Sequence, residues 1–189
     1  MKPKILLGDV LITKFQIECR VLDMAHNINA YANERPDDII VLLCVLNGAC
    51  VFMADLMRAL HEVDPECQFE VAFINAKSYK GTSTSGTVRL QSLTEGVELT
   101  GRRIVIVEDI VDTGLTMRRI LDHLYDGMGV KDVKICALLD KQGRREVSVH
   151  IDWACFDISG GFVVGYGMDL DHKWYRGLPD IHLLKARLT

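Results

Sequence analysis

The stretch IVIVEDIVDTGLT, Ile104–Thr116, runs from an apolar segment into two acids, then a third, then Thr-Gly-Leu-Thr. The β-branched run Arg102–Val107 reads as a buried strand. Glu108 and Asp109 stand where that strand ends, and Asp112 follows three residues later. LTMRRILDHLYDGMG, Leu115–Gly129, then has helical periodicity, so Asp112–Thr116 spans a strand-to-helix turn. A buried strand feeding directly into a helix is the repeating unit of an α/β fold.

The same alternation extends outward from this turn. Phe15 to Ala32 places Ile17, Val21, Leu22, Ala25, Ile28 and Tyr31 three and four residues apart, and Pro36 blocks continuation. IIVLLCVL, Ile39–Leu46, is continuously apolar, as a strand covered on both faces must be. Asn47 and Gly48 interrupt it, and ACVFMADLMRALHEV resumes helical spacing. Phe69–Ala76 and Val133–Leu139 read as strands, as do IDWACF, Ile151–Phe156, and GFVVGYGM, Gly161–Met168. Lys80–Thr87 is Gly, Ser and Thr with one positive charge, so it predicts a mobile loop, either a hairpin tip or a lid. No repeat or linker divides the chain, and residues 1–189 are expected to form one domain. The class is α/β with a mostly parallel central sheet. Ligands of such sheets bind beyond the carboxyl ends of the strands. That rule places Leu46–Gly48, Glu108–Thr116, Asp140–Lys141 and Gly167–Asp169 on one rim.

Composition limits the function classes. The 189 residues are 49% hydrophobic and 25% charged, which suits a folded chain long enough to bury a core. A net charge of −4 gives no global attraction to nucleic acid or anionic membrane. The longest apolar run, Ile39–Leu46, is far too short for a membrane span, and the apolar run within Met1–Val10 is too short for a secretory signal. A cytoplasmic location is expected. The six cysteines lack CxxC spacing and the six histidines lack HExxH spacing, so reduced thiols are expected rather than disulfides or a zinc site.

Successive N–H groups of Asp112–Thr116, the positive helix end and two hydroxyls can cradle a phosphate. Taken alone, DTG serves equally well as a helix cap. Glu108 and Asp109 add weight to the ligand reading, because carboxylates at a buried strand end need partners. They can accept from sugar hydroxyls or stand near Mg²⁺ on a second phosphate group. A ribose 5-phosphate satisfies both halves of the motif. No GxxxxGK[ST] occurs, and GYGMDL, Gly165–Leu170, is an incomplete dinucleotide fingerprint.

VEDIVDTGLT closely resembles the phosphoribosyl-diphosphate (PRPP) signature of type I phosphoribosyltransferases. VLNGA, SYKGTSTSG, LLDKQGRR and FVVGYGMD narrow the resemblance to the hypoxanthine and hypoxanthine-guanine phosphoribosyltransferases, in order and spacing from about Leu6 to Ile181. The resemblance implies a mostly parallel sheet flanked by helices, with a small hood and a flexible loop bearing Ser78 and Tyr79. It implies Mg²⁺-dependent transfer of phosphoribose from PRPP to hypoxanthine and guanine, releasing diphosphate.

By the same resemblance, Asp112, Thr113, Gly114, Leu115 and Thr116 hold the 5-phosphate, Glu108 and Asp109 the ribose hydroxyls, and Ile110 lies within the same motif. Asp112 matches the proposed general base at purine N7 and Lys141 the donor to O6. Phe162 stacks on the base, and the Val163 backbone reads its edge. Leu46, Asn47 and Gly48 form the diphosphate loop, whose first bond is often a non-proline cis peptide. Asp169 is the Mg²⁺ ligand, with Arg145 and Arg176 near the diphosphate. Asn47 and Leu115 stand where mammalian members have lysine, and DLDHKWYR carries one residue more than usual between Asp169 and Arg176. Relatives form dimers and tetramers, so self-association is expected, with neither nucleic-acid nor membrane partners. Alternatives are a xanthine-preferring transferase, or a PRPP-responsive nucleic-acid-binding regulator on the same fold.

Overall fold

The structure, a computed structural model, describes residues 5–78, 88–92 and 96–187. The elements in chain order are β1 (Ile5–Ile12), α1 (Lys14–Asn33), β2 (Ile40–Leu46), α2 (Cys50–Val63), β3 (Phe69–Ser78) and β4 (Val88–Ser92). They continue with β5 (Arg103–Val111), α3 (Leu115–Asp122), β6 (Asp132–Lys141), β7 (Trp153–Ile158), β8 (Val163–Val164) and β9 (Ile181–Arg187).

Alternation along β2 and β5 builds two cores. Leu42, Cys44, Val105 and Val107 face one side, where they pack with Ile17, Ile28, Phe52 and Leu56 of α1 and α2. Val41, Leu43, Val45, Ile104 and Ile106 face the other, against Met117, Ile120 and Leu124. Both faces of the sheet are therefore covered, which is why these strands are apolar throughout instead of alternating in sequence. The α1 entry is fixed by a capping box, with Thr13 accepting from the Gln16 N–H and Gln16 reaching back to the Thr13 N–H.

The main sheet has six strands in the order β4-β3-β2-β5-β6-β7. All its pairings are parallel except β3–β4. A second, antiparallel sheet of three strands, β1-β9-β8, is the hood. Its strands are short or have register shifts, so period-two patterning does not reveal β1 and β9 in the sequence.

Several segments depart from their sequence reading. The strand expected to end at Glu108 and Asp109 carries both acids and runs on to Val111. Gly161–Met168 is not one strand: only Val163–Val164 is, because the backbone then turns through positive φ at Gly165 (103°), Tyr166 (48°) and Gly167 (99°). The helix read over Leu115–Gly129 stays α-helical only to Asp122, and His123–Gly127 widens into a π-helical turn. IDWACF begins its strand at Trp153, two residues later than its apolar run. Tyr79 and the lid segment Lys80–Thr87 lie outside the described residues.

Candidate active site

Register decides which side chains meet. Val111 of β5 pairs with Asp140 of β6, so the next residues, Asp112 and Lys141, stand side by side at the carboxyl ends of the two strands. Lys141 is 6% exposed, and its Nζ lies 3.4 Å from Asp112 Oδ2. Arg144 Nη1 approaches the same oxygen at 3.3 Å. Asp112 Oδ1 is buried without a hydrogen-bond partner. The carboxylate is therefore held by one oxygen and offers the other as an acceptor.

Asp112 does not cap α3. Gly114 is the N-cap residue at φ 85°, with no side-chain cap bond, and a side chain there would overlap the Val147 carbonyl. Thr113 O accepts from the Glu146 and Val147 N–H groups, both at 3.0 Å, which ties the turn down from outside. Thr113 Oγ1 is reached by the Leu115 N–H only at 3.4 Å. The uncapped start of α3 keeps its N-terminal field facing the rim.

Glu108 is 7% exposed and its Oε2 has no hydrogen-bond partner. Burial, and then the neighbouring Asp109 charge, hold its carboxyl well above the usual carboxylate range. Burial also raises Asp109, opposed by a hydrogen bond from Glu108, by backbone N–H groups and by Arg176. Of the two acids, Glu108 is the one pushed well toward its neutral form.

The sign of the pH effect follows from that raised value. A carboxyl with a raised folded-state pKa binds more protons folded than unfolded above about pH 4.3, so its contribution to stability falls as pH rises toward the folded value. Glu108→Gln should make the unliganded protein more stable at neutral pH, by roughly 1–3 kcal/mol, and flatten its pH dependence. Thermal melts from mildly acidic to neutral pH test this. A variant less stable than its parent at neutral pH contradicts it.

The rim segments expected to converge do so. A Cβ on Gly48 would enter the Asp109 carboxylate, and one on Gly167 would strike the Gly48 carbonyl. The Leu46–Asn47 bond is cis. Asp169 Oδ1 pairs with Arg176 Nη2 at 2.9 Å, and Asp169 Oδ2 is buried without a hydrogen-bond partner. Arg176 also donates to the Gly167 carbonyl. Arg145 lies under the turn, donating Nε to Asp112 O (3.0 Å) and Nη2 to Val111 O (3.1 Å), and it pairs with Asp140.

A cavity of about 220 Å³ collects Asp109, Asp112, Lys141, Phe162, Val163 and Asp169, with Ile110, Arg144, Gly161 and Met168 completing its wall. Phe162 is 54% exposed, although its carbonyl is fixed by the Leu184 N–H at 2.9 Å. An aromatic ring exposed at a cavity on a pinned backbone suits stacking on a planar ligand. A larger cavity of about 750 Å³ between α1, α2 and Arg176–Pro179 has a mainly apolar wall and lies away from Asp112 and Lys141. The acids, the buried lysine and the exposed ring gather at the smaller one.

Sequence reading missed Arg144. Two adjacent arginines give no sign of which faces a cavity; the single 3-10 turn Gln142–Arg144 sends Arg145 beneath the strands and Arg144 to the opening. Among the described residues no cluster of three or more His, Cys, Asp or Glu could hold a metal by itself. Asp169 Oδ2, which has no hydrogen bond and only His172 Nδ1 at 3.9 Å beside it, suits Mg²⁺, which takes one or two protein carboxylates and completes its shell with phosphate oxygens and water.

Known proteins resemble this chain in sequence and in fold. The phosphoribosyl transferase domain model matches residues 13–171. Hypoxanthine phosphoribosyltransferase of Haemophilus influenzae is 36% identical over 162 residues, covering 85% of this chain and 87% of that protein. A crystal structure of a Bacillus anthracis hypoxanthine-guanine phosphoribosyltransferase, with HEPES in its active site, superposes with a TM-score of 0.81 at 34% identity, covering 97% of this chain and all of that one (100%). A variant of the Trypanosoma cruzi hypoxanthine phosphoribosyltransferase, solved as a ternary substrates complex, gives 0.82 at 34% identity, covering 97% and 96%. With the family model spanning most of its length, this chain belongs to the phosphoribosyl transferase domain family, among the hypoxanthine and hypoxanthine-guanine phosphoribosyltransferases.

Proposed function

We propose that the chain catalyses purine salvage, transferring 5-phosphoribose from PRPP to hypoxanthine and guanine to give the nucleoside monophosphate and diphosphate. The observation that carries this is the single cavity in which Lys141, Asp112 and the exposed Phe162 ring meet beside the uncapped start of α3.

A 6-oxopurine seats on Phe162, with the Val163 backbone reading its edge. Lys141 donates to O6, a contact the 6-amino group of adenine repels because it too presents donors. Asp112 Oδ1 accepts the N7 proton as N9 attacks C1 of the ribose. The Asp112–Thr116 backbone and its hydroxyls hold the 5-phosphate, while Glu108 and Asp109 receive the ribose hydroxyls. Negative charge at Asp109 favours the positive charge that develops on the sugar as diphosphate departs.

Leu46–Gly48 holds the diphosphate, and Arg176 trades its Asp169 partner for phosphate oxygens. Arg145 steadies the turn from below and, by the family resemblance, lies near the same leaving group. When bound through Asp169, Mg²⁺ supplies charge neutralisation of the diphosphate. The Ser78–Thr87 segment serves as a lid that excludes water. The chain acts as one domain in the cytoplasm and self-associates as a dimer or tetramer, without nucleic-acid partners. Among the described residues no helix is long and apolar enough to cross a membrane.

Incubation of purified protein with hypoxanthine, PRPP and Mg²⁺ should yield IMP, and chelation should stop it. No turnover with hypoxanthine, guanine or xanthine overturns the proposal. Light scattering on the same preparation tests self-association, which a monomeric mass excludes.

A further inference from the structure

We infer that Arg144 is a positioning residue for the purine half of the reaction: it pins one oxygen of Asp112 at the cavity mouth so that the other faces the base. The inference rests on Asp112 being the proton acceptor. Its ground is the unequal state of the two carboxylate oxygens. Oδ2 receives both Lys141 Nζ at 3.4 Å and Arg144 Nη1 at 3.3 Å, whereas Oδ1 is buried and unpartnered. An acceptor that must take a ring proton needs its plane fixed, because its side-chain torsion is otherwise soft.

The two cations are not equivalent. Lys141 ends β6 with 8% of its side chain exposed, facing the position assigned to the purine oxygen. As it turns its donors to that oxygen, its hold on Asp112 weakens. Arg144 is 67% exposed at the mouth, has no purine atom assigned to it, and can keep its bond throughout. Arg145 meanwhile grips the Asp112 carbonyl at 3.0 Å. Adjacent arginines thus clamp one residue, Arg145 by its backbone and Arg144 by its carboxylate. Being so exposed, the Arg144 contact adds little to folding. Its contribution falls on the orientation of Asp112, where small misplacements are costly to rate.

The test uses R144Q and R144K in the wild-type enzyme, and R144Q in a D112N background. R144Q should lower kcat/KM for hypoxanthine roughly 10-fold, leaving KM for PRPP and the melting temperature unchanged. R144K, which restores a cation, should recover most of the loss. In D112N the same substitution should have no further effect, since two residues acting through one bond are not additive. Wild-type kinetics in R144Q while D112N is slow overturns the inference alone. So does an equal loss in both backgrounds, or a loss confined to KM for PRPP. Undiminished turnover in D112N overturns the reading of Asp112 itself and takes this inference with it.

Discussion

Asp112→Asn should lower kcat by about 10²–10⁴-fold, the usual range for loss of a general base, with PRPP binding nearly unchanged. Asn has the same shape and can accept hydrogen bonds from Lys141 and Arg144, so the local packing survives. What it cannot do is take a proton. The buried, unpartnered Oδ1 lies where an acceptor is needed, and the Asp112 backbone, which belongs to the phosphate turn, is untouched by the change. Steady-state turnover with hypoxanthine and calorimetric PRPP binding separate the two roles. Turnover equal to the parent's removes Asp112 from the chemistry. Loss of PRPP affinity in step with kcat assigns its side chain to the phosphate site instead.

Lys141→Ala should reduce kcat/KM for hypoxanthine by roughly 30- to 4,000-fold, the equivalent of the 2–5 kcal/mol lost when one member of a buried charged pair is truncated. Two causes act together. The O6 donor disappears, and Asp112 is left with only its solvent-exposed partner Arg144. Discrimination against adenine should fall as well, because the rejected 6-amino group no longer meets a competing donor. Direct measurement of purine affinity decides between causes. If hypoxanthine and adenine bind the variant as they bind the parent, Lys141 is not the O6 reader.

Both predictions depend on the register of β5 against β6. IVIV and VKICALL announce two strands, and their polar ends announce a rim. That Asp112 falls beside Lys141, 29 residues away, follows from Val111 pairing with Asp140. The order of strands β3-β2-β5-β6 agrees with the alternating βα units read from the sequence. The hood was less legible: β1 and β9 pair across nearly the whole chain, Ile12 with Ile181, and no local periodicity encodes such a partner. The Gly161–Met168 segment misled for a related reason. Its apolar residues suit a strand, but Gly165 and Gly167 permit the turn that lowers Asp169 onto the rim.

The sequence by itself determined the class of fold, the strand-to-helix phosphate turn and the identity of the groups around it. Those properties are local: apolar runs, breaks at Asn-Gly and Asp-Thr-Gly, and acids that interrupt an apolar strand. Only the tertiary structure decided which of two adjacent arginines opens onto the cavity, and which Asp112 oxygen is free. It also decided that burial and the neighbouring Asp109, itself pressed against Gly48, push the Glu108 carboxyl toward its neutral form. Direction and desolvation depend on what packs around a side chain, and that packing comes from strands far apart in sequence. In IVIVEDIVDTGLT the order of residues supplies the groups, and the sheet supplies their partners.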